Sequence, residues 1–113
     1  MLSIITINFN DINGLKKTIE SVFEQKFTDF EYIIIDGGSS DGSVELIDQY
    51  KDRLSYSISE PDRGIYHAMN KGMLAAKGDY LLFLNAGDSF VNSNSLGDFF
   101  RETPVEDIIY ANA

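Results

Sequence analysis

Apolar stretches recur along the chain, and four of them stop at an amide, an acid or a glycine-rich turn. Leu2 to Asn8 is apolar and β-rich and predicts a first strand. Phe30 to Ile35 predicts a second, ended by Asp36. Leu54 to Ser59 is more polar and predicts a third strand nearer a sheet edge. Tyr80 to Leu84 is an unbroken apolar run that gives way at once to Asn85, Ala86, Gly87 and Asp88. A run of that kind, bounded by turn residues, predicts a strand buried on both faces. Asp107 to Tyr110 predicts a last strand.

Between these runs the apolar period changes to that of a helix. Leu15, Ile19, Val22 and Phe23 share one face, with Lys16, Lys17, Glu20 and Glu24 on the other, and Asp11 or Asn13 is placed to cap it. Val44, Ile47 and Tyr50 suggest a short second helix with Ser40 or Asp41 as its cap. Gly64 to Ala76 predicts a third helix with Ile65, Ala68, Met69, Gly72 and Ala76 on one face. Those small residues would let it lie close to a sheet, and Gly78 fits a helix stop. Ser95 to Arg101 is a shorter helical segment. Strand and helix alternate four times before the final strand. The pattern predicts the α/β class: a doubly wound, mainly parallel sheet with helices on both faces. The length of 113 residues suits one domain, and no repeat, low-complexity tract or linker interrupts it.

A parallel sheet delivers all its strand ends to one edge, where open α/β sheets bind ligands. That edge would collect Asn8, Phe9, Asn10 and Asp11; Asp36, Gly37 and Gly38; Glu60, Pro61, Asp62, Arg63 and Gly64; and Asn85 to Asp88. Each segment alone reads equally well as a plain turn. Four together, with spare carboxylates, point to a site. Asp36 directly follows an apolar strand and is expected to accept from a base N–H or a ribose hydroxyl. Gly37 and Gly38 would let a planar group approach the backbone, with Phe9 either stacked beneath it or buried in the core. Asp88, with no His or Cys nearby, suits Mg²⁺ or Mn²⁺ bridging to phosphate oxygens. Arg63 is a cation placed for a phosphate or a base edge. His67, the only histidine, reads as a partly exposed helix residue.

Charge and composition narrow the ligand. The net charge is -9, which argues against nucleic acid or an anionic membrane as a partner but permits a phosphate met by a metal or by backbone N–H groups. There are no cysteines, so disulfides and thiolate metal sites are excluded. No apolar run is long enough to cross a bilayer, and the N-terminus lacks the features of a signal peptide. The expected location is the cytoplasm, or peripherally the inner membrane surface. Two short patterns fail on context. Gly38 to Gly42 fits G-x-S-x-G, but only His67 could complete a triad around Ser40, and it lies too early. The turn after the first strand, NFNDING, lacks the G-x-G-x-x-G of a dinucleotide fold, and no Walker A pattern is present.

Four segments taken together, SIITINFN, IIIDGGSSDGS, SEPDRGIYHAMNKG and GDYLLFLNAGD, resemble the family 2 glycosyltransferases with the GT-A fold. The resemblance covers essentially the whole chain. It implies a nucleotide-sugar donor, Mn²⁺ or Mg²⁺, and inverting transfer to a saccharide or lipid-linked acceptor, as in bacterial-type polysaccharide synthesis. By this resemblance Asn8, Phe9, Asn10, Asp36, Gly37, Asp62, Arg63, Asn85 and Ala86 hold the donor, with Asp36 on the base, and Asp88 holds the metal. Departures are visible. Ile7 stands where many members have Pro, and the acids common at the positions of Asn85 and Gly87 are absent. Members continue past the last strand into a region that binds the acceptor and supplies the catalytic base. Residues 1–113 are therefore expected to form the donor-binding domain, truncated before that region. Ile108, Ile109 and Tyr110 would then expose an edge that favours self-association. Two rivals remain: a non-catalytic nucleotide-binding module of the same fold, and a nucleotidyltransferase. The latter is disfavoured because Asn8 to Gly14 contains no Lys or Arg for a triphosphate.

Overall fold

The computed structural model describes residues 1–102 and 108–110, with side chains through residue 98. Strands β1 (Leu2–Asn8), β2 (Phe30–Asp36), β3 (Tyr56–Ser59), β4 (Tyr80–Phe83) and β5 (Ile108–Tyr110) form one sheet in the order β3-β2-β1-β4-β5. Every pairing is parallel. Helices α1 (Ile12–Phe23), α2 (Ser43–Gln49), α3 (Ile65–Ala75) and α4 (Ser95–Glu102) alternate with the strands, and a 3-10 turn (Lys51–Arg53) follows α2. The chain steps from β1 outward to β3, then returns to the other flank of β1 as β4. This is the doubly wound α/β sheet that the alternation predicts.

Strand β1 sits at the centre because it is apolar on both faces. Leu2 and Ile4 join Leu15, Ile19 and Val22 of α1, Leu46 and Ile47 of α2, Leu82, Leu84 and Leu96 in one core. Ile5 joins Ile33, Ile35, Phe83 and Ala68 of α3 in the core on the opposite face. Each fully buried aliphatic side chain is worth about 1.5–3 kcal/mol. The Tyr80–Leu84 run thus divides between the two cores, Leu82 and Leu84 to one and Phe83 to the other, as a strand buried on both faces must. β3 lies at one edge, with Tyr56 exposed. β5 lies at the other and pairs only with β4 among the described residues; Asp107, expected to start it, lies outside them.

One polar chain crosses the first core. The Thr6 hydroxyl donates to the carbonyl of Leu84 at 2.7 Å, so the Tyr32 hydroxyl 2.7 Å away must donate to Thr6. Burial pushes the Tyr32 phenol well above its ordinary pKa, and the Thr6 contact only partly opposes that. The link ties β2, β1 and the residue that follows β4 together inside this core.

The helix ends differ in detail from the sequence reading. Asp11 caps α1, accepting from the Gly14 N–H at 3.1 Å, and Asn13 is already inside the helix. The residue at the α2 cap is Gly42, with φ 101° and no side-chain bond. Asp41 serves from one position earlier: its Oδ1 accepts from the Ser43 N–H at 3.1 Å and its Oδ2 from the Ile12 N–H at 2.9 Å. One carboxylate therefore holds the first turns of both α1 and α2. The Ser43 hydroxyl bond is the chief cause that lowers its pKa. Gly78 is not the stop of α3, which ends at Ala75 with Ala76 already extended. A Cβ at Gly78 would lie 2.5 Å from Ser3 Oγ and 2.7 Å from the Met1 carbonyl, so its glycine serves a close approach to the start of β1.

Candidate functional site

Parallel register brings three polar residues side by side at the carboxyl edge. Asn8 of β1 is the ladder partner of Asp36 of β2, and Asp36 is the partner of Ser59 of β3. Asp36 is fully buried. Its Oδ1 accepts from Asn8 Nδ2 at 2.8 Å and Ser39 Oγ at 2.7 Å. Its Oδ2 accepts from the N–H groups of Gly38 and Ser39 at 3.1 and 2.8 Å and from Ser59 Oγ at 2.7 Å. Burial alone would raise the Asp36 pKa; the bonds from Ser39, Ser59 and Asn8 outweigh it, and the pKa lies below the ordinary carboxylate value. The sequence reading gives Asp36 a direct bond to a base. In the structure its oxygens are already occupied by donors of the chain itself, which fold the 37–39 turn around it.

Asn10 is also engaged from within. It has φ 50°, a left-handed conformation that asparagine tolerates better than most residues. Its N–H donates to Ser39 Oγ at 2.8 Å and its Oδ1 accepts from the Ser40 N–H at 2.8 Å. The turns after β1 and β2 are thereby stitched together. Asn8 is different. Its Nδ2 must face the Asp36 carboxylate, so its Oδ1 is turned away, and that buried oxygen has no partner among the described residues.

A cavity of about 330 Å³ opens beside this edge, lined by Ile7, Asn8, Phe9, Asp62, Gly64, Ile65 and Ala68. Phe9 is 62 % exposed, which settles it as a surface aromatic rather than a core residue. Asp62 stands on the β3–α3 turn, held by Lys71 of α3 at 2.5 Å; Lys71 also meets Glu60 at 3.0 Å. The Asp62 bond is the main cause that raises the Lys71 pKa. His67 caps the same turn, its Nδ1 accepting from the Arg63 N–H at 2.9 Å, so it is a loop brace. Arg63 is exposed, and its guanidinium makes no ion pair among the described residues.

The turn after β4 lies across the point where strand order reverses, between β1 and β4, the usual ligand crevice of such sheets. Ala86 is tied to β1 by its N–H on the Ile7 carbonyl at 3.0 Å. Asp88 Oδ2 accepts from the Asn85 N–H at 3.1 Å, and Asn85 Oδ1 is buried without a partner among the described residues. No group of three His, Cys, Asp or Glu side chains is assembled among the described residues. One carboxylate and an orphaned amide oxygen on a single turn are hard donors. They fit Mg²⁺ or Mn²⁺ shared with ligand phosphates, and not an ion caged by protein alone.

Four side chains that support the candidate site escaped the sequence reading. Ser39 and Ser59 complete the shell of Asp36, and only strand register reveals Ser59. Lys71 braces the β3–α3 turn from nine residues beyond Asp62. Thr18 holds the β4 turn: its hydroxyl donates to the Asp88 carbonyl at 2.6 Å and accepts from the Gly87 N–H at 3.0 Å. Thr18 did leave a signal, since it falls on the buried stripe of α1 with Leu15, Ile19 and Val22, where a hydroxyl needs a partner.

Comparison with known proteins bears on the family and the fold. An uncharacterised glycosyltransferase of Mycobacterium tuberculosis is 46% identical over 90 residues, which are 79% of this chain and 34% of that protein. A PGL/p-HBAD biosynthesis glycosyltransferase of Mycobacterium bovis is 32% identical over 118 residues, 99% of this chain and 46% of that protein. The chain thus spans less than half the length of these relatives. Among solved structures, a mannosyltransferase from Pyrobaculum calidifontis in complex with GDP-Man and Mn²⁺ superposes with a TM-score of 0.81 at 19% identity, covering 91% of this chain and 32% of that one. At that identity the likeness speaks to the fold. The model of glycosyl transferase family 2 matches residues 3–103, which hold four of the five described strands (β1 but for Leu2) and every turn of the candidate site, and the chain belongs to that family.

Proposed function

We propose that residues 1–113 bind the nucleoside-diphosphate part of a sugar donor for inverting transfer to a saccharide or lipid-linked acceptor. The observation that carries this reading is the cavity at the carboxyl edge, where the exposed Phe9 ring and the Asp62 carboxylate line one wall with Asn8, whose Oδ1 is buried without a partner among the described residues. An aromatic face with hydrogen-bonding groups around it suits a flat heterocycle. Phe9, Asn8, Gly37 and Asp62 would take the nucleoside, Arg63 the diphosphate, and Asn85, Ala86 and Asp88 the metal end, with Asp36 and Asn10 holding the turns in shape. When bound, Mg²⁺ or Mn²⁺ would supply charge neutralisation for the departing diphosphate. In the transfer an acceptor hydroxyl oxygen bonds to the anomeric carbon, the bond to the diphosphate breaks, and the hydroxyl proton passes to a base that we assign to a part of the protein outside these residues. The relatives of greater length support that division of labour. A cytoplasmic location, peripheral at the membrane where the acceptor is lipid-linked, belongs to the same reading; no helix among the described residues is long and apolar enough to cross a membrane.

The test is calorimetric titration with UDP-, GDP- and dTDP-sugars, with and without Mn²⁺. At least one is expected to bind, more tightly with the metal, and Asp88→Asn should abolish the metal dependence while leaving the fold intact. Silence from every donor in both conditions would defeat the reading.

A further inference from the structure

Two acids compete for the part of reading the base, and their surroundings separate them. Asp36 has no exposure, and its two oxygens already receive five hydrogen bonds. A carboxylate offers about four lone-pair sites, so a ligand N–H could enter only by evicting a donor that holds the turn. Asp62 is half used. Its Oδ1 is taken by Lys71, and its Oδ2 receives no hydrogen bond among the described residues. That Oδ2 lies 3.1 Å from where a Cβ would stand on Gly37, and Phe9 Cδ1 lies 3.2 Å from the same point. Gly37 is not one of the glycines with positive φ. Its backbone does not require glycine; the missing side chain lets the Phe9 ring and the Asp62 carboxylate close on the main chain there, and both line the cavity at this edge.

We propose that Asp62 is the carboxylate that accepts from the base of the bound nucleotide, and that Lys71 is its positioning residue. The proposal rests on the donor-binding reading above and goes further in naming the reading group. Lys71 grips Glu60 at 3.0 Å, Asp62 at 2.5 Å and the Pro61 carbonyl at 3.4 Å, so one ammonium closes the β3–α3 turn onto α3. By consuming Oδ1 it leaves Oδ2 as the unused acceptor of a residue on the cavity wall. A ring stacked on Phe9 would bring an edge N–H, such as those of uracil, thymine or guanine, to that oxygen.

The experiment titrates UDP, GDP, dTDP and inorganic pyrophosphate, all with Mn²⁺, into the parent and four variants. If the parent binds no nucleoside diphosphate, the donor-binding reading fails and takes this proposal with it. If the parent binds one, Asp62→Asn is informative because Lys71 only donates. The amide must turn its oxygen to Lys71 and present NH₂ where Oδ2 stood, opposing the base N–H. Affinity for that nucleotide should fall at least about tenfold, the scale of one bond to a charged group, with pyrophosphate nearly unchanged. Lys71→Met should show the same selective loss and Lys71→Arg should regain most of it. Gly37→Ala, which leaves Lys71 intact and adds no backbone strain, should also lose nucleotide selectively, because the added methyl presses on Phe9 and the Asp62 carboxylate. Parent-like nucleotide binding by Asp62→Asn, or equal losses for pyrophosphate across the variants, would overturn the proposal.

Discussion

A carboxylate shut away from water is stable only where donors surround it, and Asp36 gathers two backbone N–H groups, two serine hydroxyls and an asparagine amide. Removing it leaves those donors facing one another. Asp36→Ala is expected to lose roughly 3 kcal/mol of stability, the upper range for a single bond to a charged group, because the groups left behind are buried. Urea unfolding with an unchanged m-value would measure it. The pH dependence has a definite sign. The folded pKa lies below the unfolded value of about 3.9, so the contribution is fully present above that value and disappears as pH falls through the lower folded pKa. The variant should lose that part of the acid limb of the stability curve. A cost under about 0.5 kcal/mol, the level of an ordinary surface change, would mean that the 37–39 turn holds its shape without Asp36.

Helix α3 owes its position to the absence of side chains. It buries Ala68 and Gly72, and a Cβ on Gly72 would lie 2.5 Å from Ile5 Cγ2 and 3.6 Å from Ile35 Cγ1. Both neighbours belong to the central strands, where little can give. Gly72→Ala gains up to about 1 kcal/mol of helix propensity and sets it against an overpacking cost of about 1–3 kcal/mol. The net expectation is a destabilised protein. Lys71 is the preceding residue, so pushing α3 off the sheet should also shift the brace on Asp62. Thermal melting and nucleotide titration of the one variant check both effects. A Gly72→Ala protein more stable than the parent would show that α3 has room to move.

Among the described residues, the acids named on the proposed edge each already hold a partner within the chain. Asp36 is enclosed, Asp62 and Glu60 are bound to Lys71, Asp88 is folded onto its own turn, and His67 accepts from Arg63. An inverting displacement needs a base within hydrogen-bond reach of the acceptor hydroxyl, on the side away from the leaving group. These groups all sit toward the nucleotide in the proposed arrangement. Residues 1–113 by themselves are therefore expected to bind donor without transferring it. Incubation with donor, Mn²⁺ and a panel of sugar and lipid-linked acceptors should yield no multiple turnover; sustained product on any acceptor would require a base within these residues.

Local pattern alone determined which segments became strands and helices, because apolar period is set by local geometry. The unbroken Tyr80–Leu84 run announced a strand with two buried faces, and the small residues of α3 announced a close approach to the sheet. Chain alternation carried the α/β class, and the ordered turns carried the family. Partnership was different in kind. Asn8, Asp36 and Ser59 are separated by more than twenty residues at each step, and only parallel register makes them neighbours. The turn after Asp36 supplies part of its shell locally, but nothing local shows that the shell is completed while Asp62 keeps an oxygen to spare. Asp36 and Asp62 both end apolar or turn segments in the sequence; the tertiary structure enclosed the first in donors and set the second, braced by Lys71, on the wall of a cavity beside Phe9. Three of the bonds on Asp36 come from Gly38 and Ser39 of its own turn, but the Asn8 and Ser59 bonds that complete its shell arrive from other strands, and the packing of the sheet and of α3 decided those.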